Sequence, residues 1–308
     1  MRALIPTGNP QTLTELGEVD LPTPQRHEAL IQVSDIALNR PDFLYLSGHA
    51  EGYRPGIDAA GTVTKAAEDG SGPAVGSRVA LHLPTGGGGA EYVAAAADRL
   101  AVIPDNVDSA SAAALPLGGL VAQRLLDLAG PLGGRRILAT GVGGGVGQVL
   151  IQLAVAEGAE ITAVAAQGQP TEHMTALGAK VVLDIDAVQD STFDIVLESV
   201  GGDLGSKTVH KLRPGGQFLW FGQASGNPIT LDFFRLLEAG IGLTLRHFVY
   251  ADGDGSRDAR DIEALLSLAS KGKLQVEIGH RGDWSSAGPV LKEMSTGRLR
   301  GKAVLSVG

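Results

Sequence analysis

The sequence predicts an α/β protein in which a β-rich domain precedes a doubly wound parallel sheet. The first third of the chain consists of short segments whose apolar and polar residues alternate, which is typical of half-buried antiparallel strands. From residue 136 onward, short apolar strands alternate with helices, the order expected of βαβ units. A length of 308 residues exceeds one average domain and therefore favours two.

The N-terminal third predicts a compact β barrel or sandwich with few helices. Its strands are expected at 2–5, 13–19, 28–38, 59–64, 77–83 and 90–94. The segment Asn39-Arg40-Pro41-Asp42 predicts the start of a short helix, because proline suits an early helical position and aspartate favours a helix N-terminus. The run Gly86-Gly87-Gly88-Gly89 is interpreted as a flexible connection.

The rest of the chain predicts an open parallel sheet of about six strands, with helices between them. Its helices are expected at 108–115, 119–129, 146–156, 171–177 and 203–211, and its strands at 136–140, 160–165, 180–183, 193–198, 216–221 and 243–249. Towards the C-terminus we expect helices at 261–269 and 284–300 and a last strand at 301–305.

A glycine-dense turn joins the first strand of this sheet to the helix that follows. Glycine lacks Cβ, so the backbone can approach a pyrophosphate closely, and the helix N-terminus offers free N–H groups and a positive dipole end. Between a strand and a helix this pattern predicts a dinucleotide site, with a purely structural turn as the alternative. The expected contacts are Gly141, Val142, Gly143, Gly144, Gly145, Val146 and Gly147.

Composition excludes several classes of function. The net charge is −9 and no cluster of Lys or Arg occurs, so a nucleic-acid partner is not expected. The chain has no cysteine, which removes disulfides, thiolate chemistry and the sulfur ligands of a zinc site. No secretory segment or membrane-spanning apolar stretch is recognisable, so we expect a soluble cytoplasmic protein that acts on a small molecule.

Ordered matches along nearly the whole chain resemble the medium-chain dehydrogenase/reductase superfamily. Within it the chain is similar to the zinc-independent quinone oxidoreductase (ζ-crystallin-like) group, which the enoyl reductases of polyketide and fatty-acid assembly also resemble. The resemblance implies a GroES-like domain at 1–117, a Rossmann domain at 118–253, and a tail at 254–308 that completes the first domain. The matching stretches are 38–42, 55–61, 87–93, the glycine turn, 177–179, 200–202 and 301–305.

The departures from the zinc alcohol dehydrogenases of this superfamily indicate that no metal is bound. Asn39 stands where that branch has its first cysteine ligand, and Ile57 and Asp58 replace the histidine and glutamate of its Gly-His-Glu motif. Amide and alkyl side chains cannot replace thiolate and imidazole as zinc ligands. Asp58 is therefore expected to brace the turn at Pro55-Gly56 and to take no part in the chemistry.

The residues after the second Rossmann strand bear on the choice of cofactor. NAD-preferring sites place an acid there, whereas this chain has Ala165, Ala166 and Gln167. A 2′-phosphate would not be repelled, which favours NADP(H), with NAD(H) as the alternative. Residues 165–179 contain no Arg or Lys either, and for Gln167 and His173 a solvated surface position is the favoured alternative.

Candidate catalytic residues follow the third N-terminal strand, at the expected interdomain cleft. The resemblance places the Asn39 amide near the nicotinamide ribose or a substrate carbonyl, whereas helix capping is the alternative role of Asn39 and Asp42. Tyr45 and Tyr53 are candidate proton donors to a developing enolate, with packing as the alternative.

The ends of the later Rossmann strands supply further expected cofactor contacts. By resemblance these residues flank the adenosine or the nicotinamide, and they are Val200, Gly201, Phe221, Gly222 and Phe248. Lys302 is a candidate phosphate ligand, with an ordinary exposed lysine as the alternative.

The leading hypothesis is an NADPH-dependent, zinc-free oxidoreductase that transfers hydride to a quinone or an α,β-unsaturated carbonyl compound. The protein would supply positioning, a dry cleft and hydrogen bonds to the carbonyl oxygen. Three alternatives stay open: a nucleotide-binding sensor or structural protein without turnover, a biosynthetic enzyme whose step is not a redox reaction, and, less favoured, a zinc alcohol dehydrogenase. We also expect a homodimer through the apolar, β-prone edge strand at 243–249.

Overall fold

In a computed structural model, the chain forms two compact units, Met1–Leu120 with Gly253–Gly308, and Val121–Asp252. The structure describes residues 1–48, 52–250, 255–297 and 299–308. The domain boundaries at 117/118 and 253/254 stay predictions, and the second of them lies outside the described residues.

The strands are numbered in chain order. They are β1 (Arg2–Pro6), β2 (Thr14–Glu18), β3 (Glu28–Leu38), β4 (Asp58–Lys65), β5 (Arg78–His82), β6 (Tyr92–Ala96), β7 (Ala101–Val102), β8 (Arg136–Thr140), β9 (Glu160–Val164), β10 (Lys180–Val182), β11 (Phe193–Glu198), β12 (Leu212–Trp220), β13 (Leu243–His247), β14 (Ile278–Asp283) and β15 (Lys302–Ser306).

The helices are α1 (Arg40–Ser47), α2 (Ser109–Ala114), α3 (Pro116–Ala129), α4 (Gly145–Ala156), α5 (Glu172–Ala176), α6 (Gly202–Thr208), α7 (Phe233–Glu238), α8 (Asp258–Ser270) and α9 (Ala287–Ser295). Short 3₁₀ turns lie at Ala97–Arg99, Ile185–Ala187, Val209–Lys211 and Trp284–Ser286. Within the described ranges, none of these helices combines the length and the apolar character needed to cross a membrane.

The first unit is built on a seven-stranded sheet in the order β14-β15-β3-β4-β5-β7, with β6 also paired to β3. The C-terminal strand β15 runs antiparallel to β3 and sets Leu305 opposite Ile36, so the tail returns to the first unit as expected. Ile31, Leu81 and Trp284 are among the side chains that fill the core of this unit.

The second unit is a parallel sheet in the order β10-β9-β8-β11-β12-β13. The chain reverses its direction of strand addition between β8 and β11, which is the Rossmann arrangement with its topological switch point at those two strands. Leu138, Val196 and Phe218 are buried in its core. The α/β fold class with a GroES-like and a Rossmann part is therefore confirmed.

Several local predictions need correction. Helix α3 begins at Pro116 rather than at residue 119, because a proline at the first helical position needs no N–H partner. The C-terminal helix is confined to Ala287–Ser295 instead of covering 284–300. Helix α7 was not predicted. None of its side chains is buried, so the sequence has no buried apolar face that would mark this segment as a helix.

The glycine run at 86–89 is not a flexible connection. The backbone N–H groups of Gly87, Gly88 and Gly89 donate to the carbonyls of Arg54, Gly56 and Pro55 at 2.8–2.9 Å. A Cβ on Gly88 would lie 2.5 Å from the carbonyl oxygen of Gly56. The glycines therefore allow two backbone segments to pack in direct contact.

Candidate active site

The glycine turn has the open, tightly wound backbone that a pyrophosphate requires. Gly141 has a φ of +66°, and a Cβ on Gly147 would overlap the backbone of Val142. Gly144 caps the N-terminus of α4, where a Cβ would meet only the Gly141 carbonyl oxygen at 3.9 Å. The backbone is thus close-packed on its inner side and open at the helix N-terminus. The Val142 side chain is buried, so only its backbone can contact a ligand.

Hydrogen bonds bring the predicted strand-end residues together at one edge of the Rossmann sheet. The Ser199 N–H donates to Thr140 Oγ1 at 3.0 Å, which joins the loop after β11 to the end of β8. The Phe221 N–H donates to the Glu198 carbonyl at 2.9 Å, and the Phe248 N–H to the Trp220 carbonyl at 2.8 Å. This edge holds Gly141, Val200, Gly201, Phe221, Gly222 and Phe248, as parallel strands require.

The segment after β9 contains a contact that the sequence did not identify. Gln167 is exposed, and its amide donates to the Leu183 carbonyl at 3.3 Å. Gln169 instead packs its amide on the glycine turn, where a Cβ on Gly143 would overlap it, and its Oε1 accepts the Ala166 N–H at 3.2 Å. Gln169, rather than Gln167, is therefore the side chain next to the turn.

In the first unit, Asp42 is a fully buried carboxylate that holds three donors. It accepts the N–H of Asn39 at 2.8 Å, the hydroxyl of Tyr53 at 2.6 Å and the N–H of Gly56 at 2.9 Å. Burial raises the pKa of Asp42 from its ordinary 3.8 to about 6, although these hydrogen bonds favour the ionised form. Asp42, and not Asp58 as the sequence suggested, braces the turn at Pro55-Gly56.

The two candidate tyrosines have different environments. The Tyr53 hydroxyl donates a hydrogen bond to Asp42. Burial, together with that carboxylate, raises the pKa of Tyr53 well above its ordinary value. Tyr45 lies with its ring centroid 4.9 Å from that of Tyr53, and 44% of its surface is exposed. Of the two, only Tyr45 is open to a ligand from solvent.

Asp58 is the centre of a second buried cluster in the same unit. Its carboxylate accepts Nδ2 of Asn39 and Nδ1 of His82 at 2.9 Å each, and the Leu117 N–H at 3.1 Å. The ammonium group of Lys302 lies 3.4 Å from Oδ2. Burial alone would raise the pKa of Asp58, but the charge of Lys302 and the bond from His82 hold it below its ordinary value.

The cluster changes the interpretation of Lys302 and Asn39. Lys302 is neither an exposed lysine nor a free phosphate ligand: it is 3% exposed and its Nζ lies 2.5 Å from Asn39 Oδ1. The Asn39 amide hydrogens have acceptors in Asp58 and the Ala37 carbonyl. Both amide hydrogens of Asn39 are therefore already used within the first unit, and its placement near a ribose or a substrate carbonyl stays a prediction.

The same cluster does not fit a zinc ion. Structural and catalytic zinc is held by thiolate, imidazole or carboxylate ligands. Here the cationic group beside Asp58 is an ammonium, which cannot coordinate a metal and repels one. Over the described ranges, no group of three or more His, Asp or Glu side chains is placed to hold a metal.

Comparisons with known proteins show which family the chain belongs to. Residues 25–105 match the alcohol dehydrogenase GroES-like domain, and residues 145–270 match the zinc-binding dehydrogenase family. The chain is 30% identical to 2-methylene-furan-3-one reductase of Solanum lycopersicum, over 97% of this chain and 76% of that protein. It is 28% identical to a quinone oxidoreductase of Pseudomonas aeruginosa, over 97% and 96% of the two chains.

A solved structure agrees with the fold over the full chain. It is a mycobacterial protein complexed with NADPH, which superposes with a TM-score of 0.87 at 26% identity and covers 100% of both chains.

The fold and the glycine turn define the class, a two-part dehydrogenase with a Rossmann domain. The chain belongs to the medium-chain dehydrogenase/reductase superfamily, in its quinone oxidoreductase group.

Replacing Asp42 by Asn tests the buried carboxylate. Since its pKa is raised on folding, native Asp42 binds a proton more tightly than the unfolded chain does. Its contribution to stability is therefore full below pH 4 and is lost as the pH rises through 6. Asp42→Asn removes this titration. We expect the stability advantage of the wild type over Asp42→Asn to be about 1 kcal/mol larger at pH 5 than at pH 8.

Denaturant unfolding of both proteins at the two pH values measures this difference, and the other titrating groups cancel in the comparison. An advantage that grows with pH would show that the Asp42 pKa is lowered by its three donors.

Proposed function

We propose that the protein is an NADPH-dependent reductase that transfers hydride to a quinone or an α,β-unsaturated carbonyl compound without zinc. The observation that carries the proposal is the open glycine turn at the switch point between β8 and β11, with no acid at residues 165–167 directly after β9. Bound NADPH would supply the hydride. The relatives named quinone oxidoreductase and 2-methylene-furan-3-one reductase support this reaction class.

The chain's own part in cofactor binding is to hold the pyrophosphate at the N-terminus of α4. The first N–H groups of a helix have no acceptor within the helix, and they point towards a ligand at the turn. Gly144 leaves the space above these groups open. Anionic oxygens there also interact favourably with the positive end of the helix dipole.

Selection of NADPH over NADH follows from the segment after β9. Ala165, Ala166 and Gln167 present no carboxylate that would repel a 2′-phosphate. Gln169 lies beside the turn with an amide that can donate to an anion. The mycobacterial structure with NADPH supports the same cofactor.

The substrate's carbonyl oxygen gains charge as hydride arrives, so a proton must reach it. Tyr53 is committed to Asp42, whereas Tyr45 is exposed, which makes Tyr45 or solvent the better proton source. In this proposal Asp42 and Tyr53 shape the wall behind Tyr45 and do not exchange protons with substrate.

Nucleotide titration of the purified protein tests the proposed function. We expect NADPH to bind at least about tenfold more tightly than NADH, because residues 165–167 carry no acid that repels its 2′-phosphate and the Gln169 amide can donate to it. With a panel of quinones and enones, the absorbance of the reduced nicotinamide should fall with time and only in the presence of protein. Absence of nucleotide binding would contradict the proposal outright. Binding without oxidation of NADPH would favour the alternative of a sensor or structural protein.

We also propose a cytoplasmic homodimer that forms through β13. This strand is at the end of the sheet, and a free strand edge invites pairing with another strand. Leu245 on β13 is 41% exposed, and the preceding helix α7 exposes Phe233, Phe234 and Leu237. Isologous pairing of two such edges across a twofold axis would cover apolar surface on both copies.

Light scattering of the wild type and of Leu245→Lys tests the dimer. A lysine on each of two facing edge strands brings like charges together, so we expect the dimeric mass of the wild type to fall to the monomeric mass. Leu183→Lys is the matched control, since Leu183 is a similarly exposed leucine that follows β10 at the opposite edge. A monomeric wild type, or a control that also dissociates, would contradict the interface.

A further inference from the structure

Glu198 is a buried acid at the switch point that the sequence did not single out. It ends β11, is fully buried, and its Oε1 accepts the hydroxyl of Thr140 at 3.1 Å. Thr140 is the last residue of β8, directly before the glycine turn. The carboxylate therefore joins the two strands between which a Rossmann sheet binds its dinucleotide.

The same oxygen also fixes the loop that follows β11. Glu198 Oε1 accepts the N–H groups of Val200 at 2.8 Å and of Gly201 at 2.9 Å. Gly201 has a φ of +75°, a conformation that favours glycine, and the carboxylate holds the chain in it. Both N–H groups are thus turned towards the buried carboxylate, which holds the loop after β11 in one conformation.

The loop after β11 is in direct contact with the glycine turn. The Ser199 hydroxyl donates to the Thr140 carbonyl at 3.0 Å, and a Cβ on Gly141 would overlap that hydroxyl. A change in the loop would therefore move the backbone at Gly141. Glu198 controls both walls of the proposed nucleotide site through Thr140 and Ser199.

The second carboxylate oxygen of Glu198 lowers the stability of the fold, and the hydrogen bonds of the first oxygen do not explain why it is buried. Glu198 Oε2 is buried, and it has no hydrogen-bond partner among the described residues. A buried charged oxygen without a partner destabilises the fold, and such groups concentrate at functional sites. Asp194, near the start of the same strand, also accepts a hydrogen bond from β8, the N–H of Arg136. In contrast to Glu198, it forms an ion pair with Arg213.

We propose that Glu198 is a positioning residue for the nicotinamide cofactor, which it never touches. Its charge strengthens three hydrogen bonds that hold the loop after β11 against the glycine turn. The inference rests on the proposed NADPH binding. Beyond that binding, we expect the affinity for NADPH to depend on a buried charge that lies outside the glycine turn and outside residues 165–167.

Three single variants, and the double variant of Glu198→Gln with Thr140→Val, test this assignment. Glu198→Gln keeps the shape and removes the charge that makes these hydrogen bonds strong. Thr140→Val is isosteric and removes the bridge to β8. Asp194→Asn is the matched control, because it removes the charge of the other buried acid on the same strand at its opposite end. The dissociation constants of NADPH and NADH and the melting temperature are measured for each variant.

We expect Glu198→Gln and Thr140→Val each to weaken NADPH and NADH by about tenfold, with the ratio between the two nucleotides unchanged. The double variant should weaken binding by less than the product of the two single effects, because both substitutions act on the shared hydrogen bond between Thr140 and Glu198. Asp194→Asn should lower the melting temperature yet bind both nucleotides within about twofold of the wild type.

Wild-type affinity in folded Glu198→Gln and Thr140→Val would overturn the assignment, as would equal weakening in Asp194→Asn. If Glu198→Gln does not fold, Thr140→Val alone decides between these outcomes. A wild type that binds no NADPH would instead overturn the proposed function, and the inference with it.

Discussion

The charge of Asp58 must be balanced inside the first unit, and the positions of five chain segments follow from that requirement. Asn39 before α1, His82 on β5, Leu117 in α3 and Lys302 on β15 all donate to it, and Asp58 itself begins β4. Removing a partner from a buried ion pair leaves an uncompensated charge, which is far more costly than an exposed pair is worth. The tail of the chain is thereby tied electrostatically to the first unit, in addition to its pairing with β3.

The second unit also contains a buried carboxylate, Glu198, but its role there is different. Among the described residues no cation contacts Glu198, and its Oε1 accepts one hydroxyl and two backbone N–H groups, so this carboxylate mainly fixes loop conformation. Asp42 does the same at Gly56, where the glycines at 86–89 lie in contact with the turn. Buried carboxylates thus shape the backbone on which the proposed cofactor and substrate contacts depend.

Much of the fold could be predicted from local pattern. Strand β3 and strand β11 have the predicted bounds, because continuous alternation or an apolar run specifies a strand without help from distant residues. The glycine turn was found for a similar reason, since its spacing and its strand–helix context lie within a few residues. The cluster around Asp58 was not predicted, because Asp58 and Lys302 are 244 positions apart and no local pattern joins them. Glu198 was missed because an acid at the end of an apolar strand has no signature until Thr140 is placed beside it.

The proposed zinc-free reduction rests on the buried pair of Asp58 and Lys302, because an ammonium group cannot coordinate a metal and repels one. The most direct measurement is the zinc content of the purified protein together with its rate of NADPH oxidation by a quinone, before and after dialysis against a chelator. We expect a zinc content far below one ion per chain and a rate that the chelator leaves unchanged. Zinc bound at one ion per chain, with activity that is lost on chelation and restored by added zinc, would contradict it.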